Sequence, residues 1–386
     1  MKQYYYFYDL NEVLIDRYPA QIASLIAASS GKNNFIFIYS EKYNDSVPHN
    51  IPDGCKSFYI PSLAKKSIEK IISQYPPLAL ITIAQRIPDI WMLTLFNHLG
   101  YATFIVQHGL WSDRLERVSL IPLLMGKFTK FIKYLYHVLS ITNLNNLSLF
   151  KTLYEFYLFL LKENINIPDT SQLHGKMLRA KKAFIFDESW NDYYIKKYGY
   201  HAEDLIYIGN PDFLLAKNKD LANKEDAVCY LCQSLVEDGR FVSTEYERFL
   251  GILNDYVATI KKLYIKLHPR SRPEIYKILK NNPNVIFTND LPICKYYIAH
   301  YTGLLATVAQ ISDDILIWKF PDHHTPEYFF QFGSIVTDNP KDLSAFITGQ
   351  YIKQKQIYNK KLTAEELRSF NPLKIISDTL LKIEYE

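Results

Sequence analysis

Cys232-Gln233-Ser234-Leu235-Val236-Glu237-Asp238-Gly239 follows the apolar run Ala227 to Leu231, and Lys266-Leu267-His268-Pro269-Arg270 follows the apolar run Leu263 to Ile265. Runs of that length and composition read as buried strands. The segment between them, Thr244 to Ile260, reads as a helix, so the two strands become parallel neighbours joined by a crossover. Glu237 and His268 then emerge at the same carboxyl edge of one sheet, where open α/β sheets keep their ligands.

The same rhythm continues outward in both directions. Downstream, Pro273 opens a helix, in a first turn where its missing N–H costs nothing. Strands follow at Val285 to Phe287 and Tyr296 to Ala299, then a helix from Gly303 and strands at Ile315 to Trp318 and Ser334 to Val336. Helices at Leu343 to Gly349 and Pro372 to Ile383 finish the chain. Upstream, strands at Tyr4 to Tyr8, Asn34 to Tyr39, Leu78 to Ile83 and Ala102 to Val106 alternate with amphipathic segments. Further strands lie at Ala180 to Phe186 and Leu205 to Ile208. Such alternation marks parallel sheets wrapped by helices. It breaks between Trp111 and Leu161, a long helical region of large apolar residues with interleaved Lys127, Lys130 and Lys133. Lys217 to Lys224 reads as an exposed linker. At 386 residues the chain exceeds one ordinary core. No G-x-G-x-x-G or P-loop pattern occurs, so nothing supports a dinucleotide or a nucleoside triphosphate.

Gln233 to Gly239 and His268-Pro269-Arg270 together resemble the two signature motifs of bacterial sialyltransferases of the lipooligosaccharide and polysialic-acid capsule type. The resemblance covers the C-terminal half well and the N-terminal half in outline. It implies an α/β, GT-B-like enzyme of two Rossmann-like domains facing a central cleft, with a helical insertion in the N-terminal half. The expected divisions are 1–215 on the acceptor side, with the insertion at about 111–165, then 216–370 for the CMP donor. Residues 371–386 form a helix that crosses back, as in GT-B enzymes. By the same resemblance Glu237 is the base, Asp238 orients its loop, and His268 binds and protonates the leaving phosphate. Gln233, Gly239, Pro269 and Arg270 complete the substrate-binding motifs.

Three further segments at strand ends are expected to contact substrate. Gln107-His108-Gly109 places an imidazole beside a flexible glycine, and a histidine bonded to its own loop is the equal alternative. Gly209-Asn210-Pro211 matches the interdomain crossing of many two-domain glycosyltransferases, where glycine lets the backbone turn or approach a ligand closely. Thr302-Gly303, opening the helix that contains Thr307, offers free N–H groups and a hydroxyl to an anion. It resembles the family's phosphate-contacting Ser/Thr segment, and Thr302 reads equally as an ordinary N-cap. Arg86 has a similar edge position and is read as a solvated surface arginine rather than an acceptor contact.

Composition sets the outer bounds. With 48% apolar and 22% charged residues the chain is an ordinary globular protein. A formal charge of +4 spread over this length argues against a nucleic-acid binder and suits anionic substrates. The N-terminus lacks a secretory signal pattern, and no window has the apolar length of a spanning helix. The expected location is cytoplasmic: the 111–161 helices read as packing into a helical subdomain, with peripheral contact on the cytoplasmic face of the inner membrane as the alternative. Cys229 and Cys232 lie three apart in a strand and point to opposite faces, so they read as buried free thiols and not as a metal site.

These readings converge on an inverting, metal-independent transfer of sialic acid or a related nonulosonic acid from its CMP-activated form to a capsular or lipooligosaccharide glycan, lipid-linked or free. The chain contains no Asp-x-Asp, the spacing that holds a divalent cation against a diphosphate, and no cofactor beyond the CMP-activated donor is expected. The alternatives are another cell-envelope transferase of the same architecture, for Kdo or a polyol phosphate, and a non-catalytic glycan-assembly protein.

Overall fold

The computed structural model describes residues 2–11, 15–16, 18–42, 51–84, 86–107, 109, 128–129, 131–161, 178–217, 219–237, 243–257, 262–268, 271–320, 325, 327–352 and 361–383. The expectations for His108, Asp238, Gly239, Pro269 and Arg270 lie outside them. The chain forms two compact units. The first comprises Met1–His108, Val118–Pro211 and Asn371–Glu386, and the second comprises Gly109–Arg117 and Asp212–Phe370.

The first unit contains strands β1 (Tyr4–Asn11), β2 (Phe35–Glu41), β3 (Lys56–Tyr59), β4 (Pro77–Thr82), β5 (Ala102–Val106), β6 (Lys182–Ile185) and β7 (Leu205–Tyr207). Its helices are α1 (Tyr18–Ser30), α2 (Lys65–Gln74), α3 (Ile87–His98), α4 (Leu135–Leu144), α5 (Leu149–Leu161) and α6 (Asn191–Tyr198). Among the described residues these seven strands pair in parallel, in the order β3-β2-β1-β4-β5-β6-β7. Tyr5, Tyr6, Phe7 and Tyr8 of β1 are all buried. Burial of consecutive residues, without alternation, is what a central parallel strand covered on both faces requires. Helices α4 and α5 form the insertion between β5 and β6.

The second unit contains α7 (Leu214–Lys217), β8 (Glu225–Leu231), α8 (Ser243–Val257), β9 (Leu263–Lys266), α9 (Lys277–Lys280), β10 (Val285–Thr288) and β11 (Cys294–Ala299). It continues with α10 (Leu304–Ile311), β12 (Asp314–Trp318), β13 (Ile335–Thr337), α11 (Pro340–Ile347) and α12 (Ala364–Ser369). Among the described residues its six strands are parallel in the order β10-β9-β8-β11-β12-β13. The sheet core is Val228 to Leu231 of β8, Tyr297 to Ala299 of β11 and Ile315 to Trp318 of β12, packed on Phe249, Leu250 and Leu253 of α8. Cys229, Cys232 and Cys294 are buried free thiols in this core. The final helix, α13 (Pro372–Lys382), belongs to the first unit, where it packs on α1 and its Leu380 carbonyl accepts from the Tyr5 hydroxyl at 3.0 Å.

In each sheet the strand order reverses once, between β1 and β4 and between β8 and β11. The loops leaving the carboxyl ends at a reversal diverge to opposite faces and open a crevice there.

Candidate active site

In the second unit the β8 loop lies at that reversal, between the loops that follow β9 and β11. Leu231 at the end of β8 pairs with Lys266 of β9, and the Cys232 N–H donates to the Lys266 carbonyl at 2.9 Å. From there Gln233 to Glu237 is fastened on both sides. Toward β11, the Gln233 side-chain amide donates to the Tyr301 carbonyl, and the Tyr301 N–H donates back to Gln233 Oε1 at 3.3 Å. Toward β9, the Arg272 N–H donates to Glu237 Oε1 at 2.9 Å.

The His268 turn closes on itself. Its N–H donates to Ser271 Oγ at 3.0 Å, and the Ser271 N–H donates to the His268 carbonyl at 2.8 Å. Glu237 and His268 therefore sit in two loops bonded to each other at one sheet edge. Gln233 fastens the β8 loop to the β11 loop with both atoms of its amide. One carboxylate oxygen of Glu237 is occupied by Arg272, while the other has no hydrogen-bond partner among the described residues. An oxygen in that state can accept a proton from a bound hydroxyl.

Thr302 and Gly303 lie on the far side of the same crevice, at the start of α10. Gly303 is the N-cap of α10 and no side chain caps it; Thr302 Oγ1 accepts from the Leu304 N–H at 3.4 Å, and the Thr302 carbonyl accepts from the Leu305 N–H at 3.0 Å. Thr307, expected at the donor phosphate, is fully buried, and its hydroxyl has no partner among the described residues. Thr307 lies one turn into α10. Gly209 and Asn210 lie in the first unit. Gly209 has φ +81°, a left-handed turn that favours glycine, and its N–H donates to the Phe186 carbonyl at 2.8 Å. Asn210 is buried.

The charges near the site are set by burial. Lys266 is half-buried and donates to the Leu267 carbonyl at 2.8 Å. Burial pulls its ammonium pKa down, against the opposing influence of Cys229, Cys232 and Asp290. Burial also pushes the Cys229 and Cys232 thiols well up, so both are neutral hydrophobes and not nucleophiles. Arg272 is exposed.

The reversal in the first sheet holds a charge cluster that the sequence reading missed. Arg86 forks onto Asp89, with Nε donating to Oδ2 at 2.7 Å and Nη2 to Oδ1 at 3.1 Å, and Nη2 also reaches Asp9 Oδ1 at 3.0 Å. Both carboxylates are fully buried, while the arginine side chain is 32% exposed. Burial pulls the guanidinium pKa down, but Asp89 and Asp9 outweigh it and hold it well above its usual value. Arg86 is thus a tethered counter-ion and not a solvated surface arginine. Asp89, three residues on within the first turn of α3, was the available signal, because that spacing closes a cap on residue 86.

No protein-family model and no curated sequence matches the chain. Solved structures do. The H444N variant of the wall teichoic acid polymerase TagF superposes with a TM-score of 0.56 at 12% identity, covering 100% of this chain and 89% of that one. The same variant soaked with CDPG gives 0.53 at 10% identity, over 99% and 89%. The UDP-GlcNAc 2-epimerase of Methanocaldococcus jannaschii gives 0.53 at 12% identity over 100% of both chains. The fold is GT-B. At such identities the likeness is one of GT-B architecture.

Proposed function

We propose that the chain is a GT-B glycosyltransferase that moves sialic acid or a related nonulosonic acid from its CMP-activated form onto a capsular or lipooligosaccharide glycan, with inversion and without a metal. The observation that carries this reading is the Arg272-to-Glu237 hydrogen bond, which joins the acidic loop to the His268 loop. It supports a carboxylate and an imidazole acting on one ligand. The motif resemblance around both residues supplies the donor class.

In this reaction Glu237 takes the proton of the acceptor hydroxyl, whose oxygen forms the new bond to the anomeric carbon from the face opposite the phosphate. The bond from that carbon to the phosphate oxygen breaks, and CMP leaves with the electron pair. His268 offsets the charge growing on that oxygen by donating a hydrogen bond or its proton. The backbone N–H groups at Thr302-Gly303 add partial positive charge beside the phosphate. The second unit takes the donor and the first the acceptor.

A second reading, transfer of a polyol phosphate, draws on the likeness to the teichoic acid polymerase. Transfer assays on CMP- and CDP-activated donors separate the two, and transfer from the CDP-activated donor alone favours the second. For the first, Glu237→Gln is expected to lower transfer roughly a thousandfold while CMP affinity stays within about twofold. Full activity in that variant would reject the base assignment.

A further inference from the structure

Behind the carboxyl edge of the second sheet lie four buried polar side chains: Tyr230 of β8, Tyr246 of α8, Tyr276 just before α9, and His300 after β11. His300 Nδ1 is 3.0 Å from the Trp318 carbonyl. A carbonyl only accepts, so Nδ1 carries a proton, and in the neutral ring Nε2 accepts from the Tyr230 hydroxyl at 2.8 Å. The Tyr230 and Tyr246 hydroxyls are 2.6 Å apart, and Tyr246 is 3.4 Å from Tyr276. Tyr276 in turn stands 3.4 Å from Ser271 Oγ, the atom that accepts the His268 N–H at 3.0 Å. The Cys232 thiol meets the same Tyr276 hydroxyl.

The surroundings make these hydroxyls costly. Phe320 stacks on His300 at 4.6 Å, and Phe249 and Trp318 close the cluster. Phenylalanine at 230, 246 or 276 would keep the ring packing and avoid burying a polar group. What the hydroxyls add is direction. A serine hydroxyl rotates freely unless a partner fixes it, and Tyr276 is the buried partner of Ser271. The chain of contacts also spans all three loops of the site: the β8 loop through Cys232, the β9 loop through Ser271, and the β11 loop through His300.

We propose that Tyr276 is a positioning residue for His268, acting through Ser271 and backed by the buried Tyr246–Tyr230–His300 ladder, so that the imidazole loop is set before substrate arrives. The assignment rests on the catalytic reading of His268 given above, but the ladder itself is measurable without turnover.

The test is Tyr276→Phe, which deletes one hydroxyl and keeps the ring. The chain has ten histidines, so selective 15N-histidine labelling resolves their amides, with the His268 signal assigned by its loss in His268→Gln. Tyr276→Phe is expected to raise hydrogen exchange at the His268 amide by about tenfold and to leave the other histidine amides unchanged. The turnover rate with the CMP-activated donor is expected to fall by about tenfold, with nucleotide affinity within about twofold. Ser271→Ala, at a half-buried loop position, should reproduce both effects. Unchanged exchange at His268 in both variants, or an equal rise at every histidine, would overturn the proposal. A wild-type protein that transfers from no nucleotide-activated sugar would sink the functional reading alone, and the exchange measurement would still decide the ladder.

Discussion

Arg86 shows how much a single side chain decides at the reversal of the first sheet. Its guanidinium pairs with two carboxylates that have no access to solvent, and removing one partner of a buried ion pair leaves the other charge buried without it. Arg86→Met is expected to destabilise the fold by about 3 kcal/mol, with Arg86→Lys recovering only part because an ammonium does not reproduce the fork onto Asp89. Urea denaturation measures both, and an Arg86→Met variant as stable as the wild type would show the cluster to be inert. The sequence placed Arg86 at a strand edge, but it did not show that Asp9 lies beside it, because the parallel pairing of β1 with β4 joins residues far apart in the chain. The same limit hid Tyr276 and Tyr246. Only the folded sheet brings their hydroxyls together.

At the scale of elements the reading was better where burial is one-sided or complete. The runs at Ala227 to Leu231 and Leu263 to Ile265 are β8 and β9, parallel neighbours as their flanking motifs required. Lys56–Tyr59 escaped notice because β3 is a short edge strand with a half-exposed face and no apolar run. Helix α12 was missed although its signal was present, since Thr363 and Glu366 form a reciprocal capping box at 3.1 and 2.7 Å. Within the insertion, α4 buries His137 against Trp91, Tyr134 and Tyr136. Burial lowers its pKa to about 4, and the Ser62 backbone offsets only part of this. The unfolded chain binds this proton below about 6.5 and the folded chain does not until about 4, so stability falls as pH drops through that window. The loss is on the order of 3 kcal/mol. Denaturant titrations at pH 7 and pH 4.5 are expected to show a smaller loss in His137→Phe than in the wild type, and equal losses would exclude His137 as the cause.

For the whole molecule, the periodicity of the strands made a two-sheet α/β chain legible, and the comparisons identify the architecture as GT-B. What the sequence left open is the surface of the insertion. Phe128, Ile132, Phe150 and Tyr154 are exposed there, Phe150 at 85%, and among the described residues no helix is long and apolar enough to cross a membrane. Aromatic residues beside the exposed Lys151 suit a headgroup boundary, whereas Lys133 is paired with Glu41 at 3.0 Å. Co-sedimentation with anionic liposomes is expected for the wild type and is expected to weaken about tenfold in a Phe150→Ser/Tyr154→Ser variant. Equal sedimentation of the two proteins would remove that contact.

Glu237 and His268, in loops bonded to each other at one sheet edge, are proposed to work on a CMP-activated donor. Calorimetric titration of CMP, UDP, GDP and CDP into the wild type and His268→Ala tests this most directly. CMP is expected to bind in preference to the other three, and His268→Ala to weaken it by about tenfold, close to 1.4 kcal/mol. Absence of CMP binding, or CMP affinity untouched by His268→Ala, would contradict it.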